Sequence, residues 1–163
     1  MLPPAAGPPV GAVPAGPGLA VQLQPRARKL ELIDAGSRRL IASAPAGVGP
    51  THAVCAPRPG WCYVVDTRGE ALLVYSLSPH RLEPTRRLYL PGGPYGLTID
   101  NRRRRLWVTL RALDELVELP AHGRPHVLRR FDTARRPDSV AVDERTGRVS
   151  VMGTGRVETL DAG

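Results

Sequence analysis

The sequence predicts an all-β fold made of a repeated four-stranded unit, and three observations carry that prediction. Segments beginning near 49, 93 and 136 resemble one another. Each holds two alternating apolar runs around a polar turn. The 18 Pro and 17 Gly among 163 residues leave little room for long helices.

The repeats come first in the argument. "GPTHAVCAPRPGWCYVVDT" starts at Gly49, "GPYGLTIDNRRRRLWVTLR" at Gly93 and "RPDSVAVDERTGRVSVMGT" at Arg136. Their prolines, Pro50, Pro94 and Pro137, are 44 and then 43 residues apart, and the segments align without gaps over 19 residues. Three and five residues after each proline stand Ala53 and Cys55, Leu97 and Ile99, Val140 and Val142. That alternation marks a half-buried strand. A polar turn follows, then Cys62 and Val64, Leu106 and Val108, Val149 and Val151. Each segment is therefore a β-hairpin.

Two more strand-like pieces follow each hairpin: "EALLVYSL" and "RRLYLPG" after the first, "DELVELPAHG" and "HVLRRFDT" after the second. Upstream, "RKLELIDAGSRRLIASAPAG" matches the second half of a repeat, and the last repeat stops inside its third strand. Four strands every 43 to 44 residues fit a β-propeller blade. The expected architecture is a partial, open propeller. A disordered Pro/Ala/Gly-rich tail would cover 1–25, a half blade 26–48, blades 49–92 and 93–135, and a partial blade 136–163.

Composition excludes some partners. The formal net charge of +8 comes from 23 Lys plus Arg, of which only Lys29 is a lysine. An excess of Arg, Ala, Pro and Gly is what a GC-rich genome writes by default. With aromatics at 4% the chain lacks stacking platforms for single strands, so no specific nucleic-acid partner is expected. No stretch approaches the roughly 18 apolar residues of a transmembrane helix. The N-terminus lacks the basic start and unbroken apolar run of a signal peptide. Arg102 to Arg105 occupy the hairpin corner held by "RPGW" and "RTGR" in the sister repeats, and are expected as a solvated turn.

At these positions the chain resembles the YVTN-type β-propeller repeat. That pattern runs Gly-Pro, an alternating strand, a turn, Tyr-Val-Thr-Asn, and then an Ile-Asp-Thr hairpin. Tyr63-Val64-Val65-Asp66, Trp107-Val108-Thr109-Leu110 and Ser150-Val151-Met152-Gly153 stand at the motif positions. "LELIDAGSRRLIASAPAG" is similar to the closing hairpin, and the resemblance runs from about Lys29 to the end. It implies a bacterial protein of the cell envelope, outside the cytoplasm and often a lipoprotein. Closed propellers use about four to eight blades. The ring is therefore expected to be completed by upstream blades of a longer chain or by a second copy in a homodimer.

Residues just after each blade-start proline converge on the channel axis. They are Thr51 and His52, Tyr95 and Gly96, Asp138 and Ser139. His52, Tyr95 and Asp138, with Thr51 and Ser139, are the candidates for binding a polar ligand at the channel mouth. One histidine and one carboxylate make a poor cage, so neither a metal nor another cofactor is expected. No Ser-His-Asp or Cys-His arrangement has motif context, so no catalytic residue is assigned. Gluconolactonases and streptogramin lyases share the architecture. The lactonases need several carboxylate and amide ligands, whereas the single Asn here, Asn101, lies in the arginine corner. His80, His122 and His126 fall in or beside the turns between third and fourth strands. The expected function is a non-enzymatic scaffold binding a small molecule, glycan or protein. The alternative is a hydrolase or lyase with its remaining active-site residues in other blades.

Three further expectations concern structure. A hairpin centred on Arg58 and Pro59 sets Cys55 opposite Cys62, as Ile99 faces Leu106 and Val142 faces Val149. Two small reduced core residues are the first reading of that pair. A disulfide is the alternative, and would support an oxidising compartment. Tyr63 and Trp107 hold one repeat position and are expected between blades. Arg38-Arg39, Arg86-Arg87 and Arg129-Arg130 recur near the outermost strand, as a solvated rim that discourages edge pairing.

Overall fold

The computed structural model describes residues 11–56, 58 and 60–161. Blade 1 comprises β1 (Ala12–Pro14), β2 (Leu19–Gln24), β3 (Lys29–Asp34) and β4 (Leu40–Pro45). Blade 2 comprises β5 (Pro50–Ala56), β6 (Trp61–Asp66), β7 (Ala71–Ser78) and β8 (Arg81–Tyr89). Blade 3 holds β9 (Pro94–Asp100), β10 (Arg105–Leu110), β11 (Glu115–Pro120) and β12 (Arg129–Asp132). Blade 4 holds β13 (Ser139–Asp143), β14 (Arg148–Gly153) and β15 (Arg156–Asp161). Each blade is an antiparallel meander in chain order, four-stranded in the first three and three-stranded in the last. The array is an open, partial β-propeller.

The hairpin registers follow from the apolar alternation. Cys55 faces Cys62, Ile99 faces Leu106 and Val142 faces Val149. These pairs lie on the face turned to the preceding blade. The opposite face carries Tyr63 towards blade 3 and Trp107 towards blade 4. Three apolar clusters result, one per seam between neighbouring blades.

Residues 12–24 correct the expected tail, whose first ten residues lie outside the described ones. Ala12–Pro14 and Leu19–Gln24 pair as a hairpin and complete blade 1, so the half blade is a full four-stranded one. The physical reason is that the prolines sit where no ladder donor is needed. Pro14 ends the edge strand β1 and Pro17 lies in the turn. Leu19 donates to Gly16 O and Ala15 to Leu19 O, which closes that turn. Val21 and Leu23 then bury fully against blade 2. On the other face of blade 1, Gln22 sits opposite Glu31. The matching positions of blades 2 and 3 hold Val64 with Leu73 and Val108 with Val117.

Two more expectations change. Cys55 and Cys62 are not separate thiols: they form a disulfide across β5 and β6, with Cα atoms 4.1 Å apart. The arginine corner is only half solvated. Arg102 and Arg104 are exposed, but Arg103 donates to Asp100 Oδ2 at 3.1 Å and to Glu144 O at 2.9 Å. Arg105 donates to Glu118 Oε1 at 2.9 Å. The outer rim is paired too, since Arg129 reaches Glu118 and Arg130 reaches Glu115. Alternation along the chain turns every second side chain toward a neighbouring carboxylate. No helix among the described residues is long and apolar enough to cross a membrane.

Candidate functional site

The innermost strands β5, β9 and β13 lie side by side, and their starts form one rim. A repeated backbone latch builds that rim. Thr67 N donates to Gly49 O, Arg111 N to Gly93 O and Thr154 N to Arg135 O, at 3.0, 3.1 and 2.8 Å. The loop after each second strand is thereby held on its blade start. Asp66 reinforces the latch in blade 2. Its carboxylate, 1% exposed, accepts from the N–H groups of Val48, Gly49 and Gly69.

Bulges then aim the side chains. The β5–β6 register shifts between Pro50 and His52, which leaves Thr51 as the extra residue. The β9–β10 register shifts over Val108 to Leu110, opposite Tyr95 and Gly96. Bulges bend a strand and redirect its side chains, and they recur next to binding sites. Here the His52 ring meets the edge of the Tyr95 ring with centroids 5.1 Å apart. The guanidinium of Arg111 lies 4.4 Å over that tyrosine ring, a cation–π contact.

The predicted residues fare differently. His52 and Tyr95 are in contact, and Asp138 is close enough for its charge to act on the imidazole. Burial pulls His52 below its ordinary value of 6.5, while the Tyr95 backbone and the Asp138 carboxylate oppose that shift. Its Nδ1 is buried without a hydrogen-bond partner among the described residues. Thr51 is engaged inward. Thr67 donates to Pro94 O at 2.6 Å, so the 2.8 Å contact between the two hydroxyls has Thr51 as donor. Ser139 is exposed on the same rim, at the start of β13.

Gly96 shows why a small residue stands between the two blades. A Cβ there would lie 3.0 Å from Thr109 Oγ1 and 3.1 Å from Asp138 O. Arg111 is the residue that the sequence reading missed. The signal was available: it occupies the first position after the motif, where the other repeats have Thr67 and Thr154. The rim thus offers a largely neutral imidazole, a phenol, a stacked guanidinium and one carboxylate. That set can hold a polar or charged ligand, and no nucleophile is paired with a base in it. Among the described residues, no three His, Cys, Asp or Glu side chains gather as metal ligands.

No family model and no curated protein matches the sequence. Solved structures do match in fold. Hydrazine synthase of Kuenenia stuttgartiensis superposes with a TM-score of 0.81 at 15% identity, over 94% of this chain and 46% of that one. A streptogramin B lyase gives 0.65 at 18% identity, over 98% and 56%. The Cps50 (Swd1) β-propeller domain of Myceliophteria thermophila gives 0.74 at 13% identity, over 90% and 50%. The chain spans about half the length of these structures. At such identities the likeness is one of fold, and the fold is a β-propeller.

Proposed function

We propose that the chain is a non-enzymatic propeller scaffold of the YVTN type that binds a small molecule, glycan or protein at the channel mouth. The stacked run His52–Tyr95–Arg111 carries the reading. It spans two blades at the rim where successive blade starts converge, and the bulges of β5 and β9 fall on its residues. The Gly-Pro blade starts and the three backbone donors on Asp66 support the family assignment. The Cys55–Cys62 disulfide supports an oxidising setting such as the cell envelope. Further blades or a second copy complete the ring, and native mass by light scattering separates these two arrangements.

A library of glycans and polar metabolites, screened by native mass spectrometry, tests the binding. Ligands found with the wild-type chain should be lost in His52→Ala, Tyr95→Ala and Arg111→Ala, with circular dichroism unchanged. Retention of every ligand by all three variants removes the channel mouth as the site. A hydrolase or lyase is the second reading. It is favoured by the half-buried His52, whose lowered affinity for protons leaves a neutral base at pH 7. It also has a lyase among its fold neighbours. Turnover of lactones or streptogramin B by the complete protein, lost in His52→Ala, would establish it.

A further inference from the structure

At the far end of β5 and β9, away from the channel mouth, a cavity of about 270 Å³ opens between blades 2 and 3. Its floor is apolar: Ala56, Ile99 and Ala121. Its sides carry Arg58 and Arg104, with Asn101 and His122 beside them. Among the described residues, no carboxylate lines it. Neither the Arg58 nor the Arg104 guanidinium has an ion pair or hydrogen bond among the described residues. Glu144 is engaged by the Asn101 backbone and side chain at 2.9 Å, and Asp100 by Arg103.

A second observation concerns the turn position of Arg104. Like Arg28, Arg38 and Arg136 it sits in the left-handed region, at φ 54°, here in the β9–β10 turn. The corresponding turn positions of blades 2 and 4 are Gly60 and Gly147, at φ 94° and 83°. Glycine adopts this conformation without steric cost and arginine does not. Blade 3 therefore places a strained cation where blades 2 and 4 have glycine, and that cation faces a cavity without a counter-charge. Backbone strain of this kind gathers where a side chain is needed for binding.

We propose that this cavity binds a small organic anion, a carboxylate or phosphate monoester. Arg58 and Arg104 supply the counter-charge, and Ile99 with the two alanines receives the compact apolar part. The site is separate from the channel mouth and does not rest on that reading.

Calorimetric titration at fixed ionic strength with benzoate, phenyl phosphate and inorganic phosphate tests it and shows which head group is preferred. One or both aromatic anions should bind more tightly than inorganic phosphate. Arg104→Gly and Arg58→Gln should each weaken that binding about tenfold, the loss expected for one charge-assisted hydrogen bond. Arg104→Gly relieves the turn, so its thermal midpoint should stay level or rise, and misfolding cannot explain the loss. Arg102→Gly removes an equal charge from the same turn outside the cavity and should leave binding unchanged. The proposal is overturned if neither aromatic anion binds. It is also overturned if Arg104→Gly binds like wild type, or if Arg102→Gly weakens binding as much.

Discussion

The seam between blades 2 and 3 and the seam between blades 3 and 4 use the same strand positions with different chemistry. In the first, Tyr63, Val65, Leu72 and Val74 meet Leu106, Val108, Val117 and Leu119. The matching residues on the next seam are Trp107, Thr109, Leu116 and Glu118. That seam has a small apolar core, Trp107 and Leu116 against Val149 and Val151. Phe131, Val140, Val142 and Leu160 pack around it, and polar contacts cross beside it: Asn101 donates to the Glu144 carboxylate. Arg103 ties Asp100 to the Glu144 carbonyl across the seam, while Glu118, 3% exposed on the seam face, pairs with Arg105 and Arg129 of its own blade. The repeat therefore decides where a side chain stands, and leaves open whether a seam-facing position is filled by an apolar side chain or by an ion pair.

Matched truncations are the sharpest way to break this comparison. Leu106 and Val149 occupy the same hairpin position and both are fully buried. Leu106→Ala should cost about 3 kcal/mol in urea unfolding, from lost transfer energy and a residual cavity. Val149→Ala removes less volume beside a smaller core, and should cost about 2 kcal/mol or less. Equal losses would mean that both seams depend on packing alike. On the seam between blades 1 and 2, Cys55→Ala with Cys62→Ala removes a cross-link that closes a short loop. Loop-closure entropy puts that loss at about 2 kcal/mol, independent of salt.

Salt should separate charge from area. Glu118→Gln keeps one acceptor and removes two ion pairs whose arginines are partly exposed. The expected loss is about 1 kcal/mol at low ionic strength, shrinking as salt rises. The Leu106→Ala loss should not shrink. A salt-insensitive Glu118→Gln would make this carboxylate a packing residue and erase the contrast between the seams.

Much of the fold was legible because a β-hairpin writes its burial into adjacent residues. The facing pairs Cys55–Cys62, Ile99–Leu106 and Val142–Val149 follow from spacing alone. The first hairpin of blade 1 was not legible, because "AVPAGPGLAVQLQ" places two prolines and two glycines around its turn. Such density has the composition of a tail, although Val13 pairs with Val21. Side-chain pairings across strands and blades were hidden for another reason. Arg103 meets Glu144 from 41 residues away and Arg105 meets Glu118 from 13, and no local pattern encodes either. At the rim, repeat geometry pointed to His52 and Tyr95. It missed Arg111, because the residue after the motif is threonine in two of the other repeats.

The smallest expected effect concerns the axis side of the two seams. There β5 and β9 meet through the His52 and Tyr95 rings, whereas β9 and β13 meet through backbone at Gly96 and Asp138. The first contact contains the imidazole, and the second is made by backbone. Burial holds folded His52 below 6.5, so on acidification the unfolded chain takes up this proton first. Stability from this source is complete above the unfolded value and falls as the pH drops below it, levelling once the folded imidazole also protonates. Urea titrations at about pH 7.5 and about pH 5.5 should therefore show a smaller acid loss in His52→Gln than in wild type. Asp138→Asn should act in the opposite direction. It removes a charge that favours the protonated folded imidazole, so the folded value drops further and the window of acid loss widens. If both variants follow the wild-type slope, the His52–Tyr95 contact is open to water, and the two seams close alike at the axis.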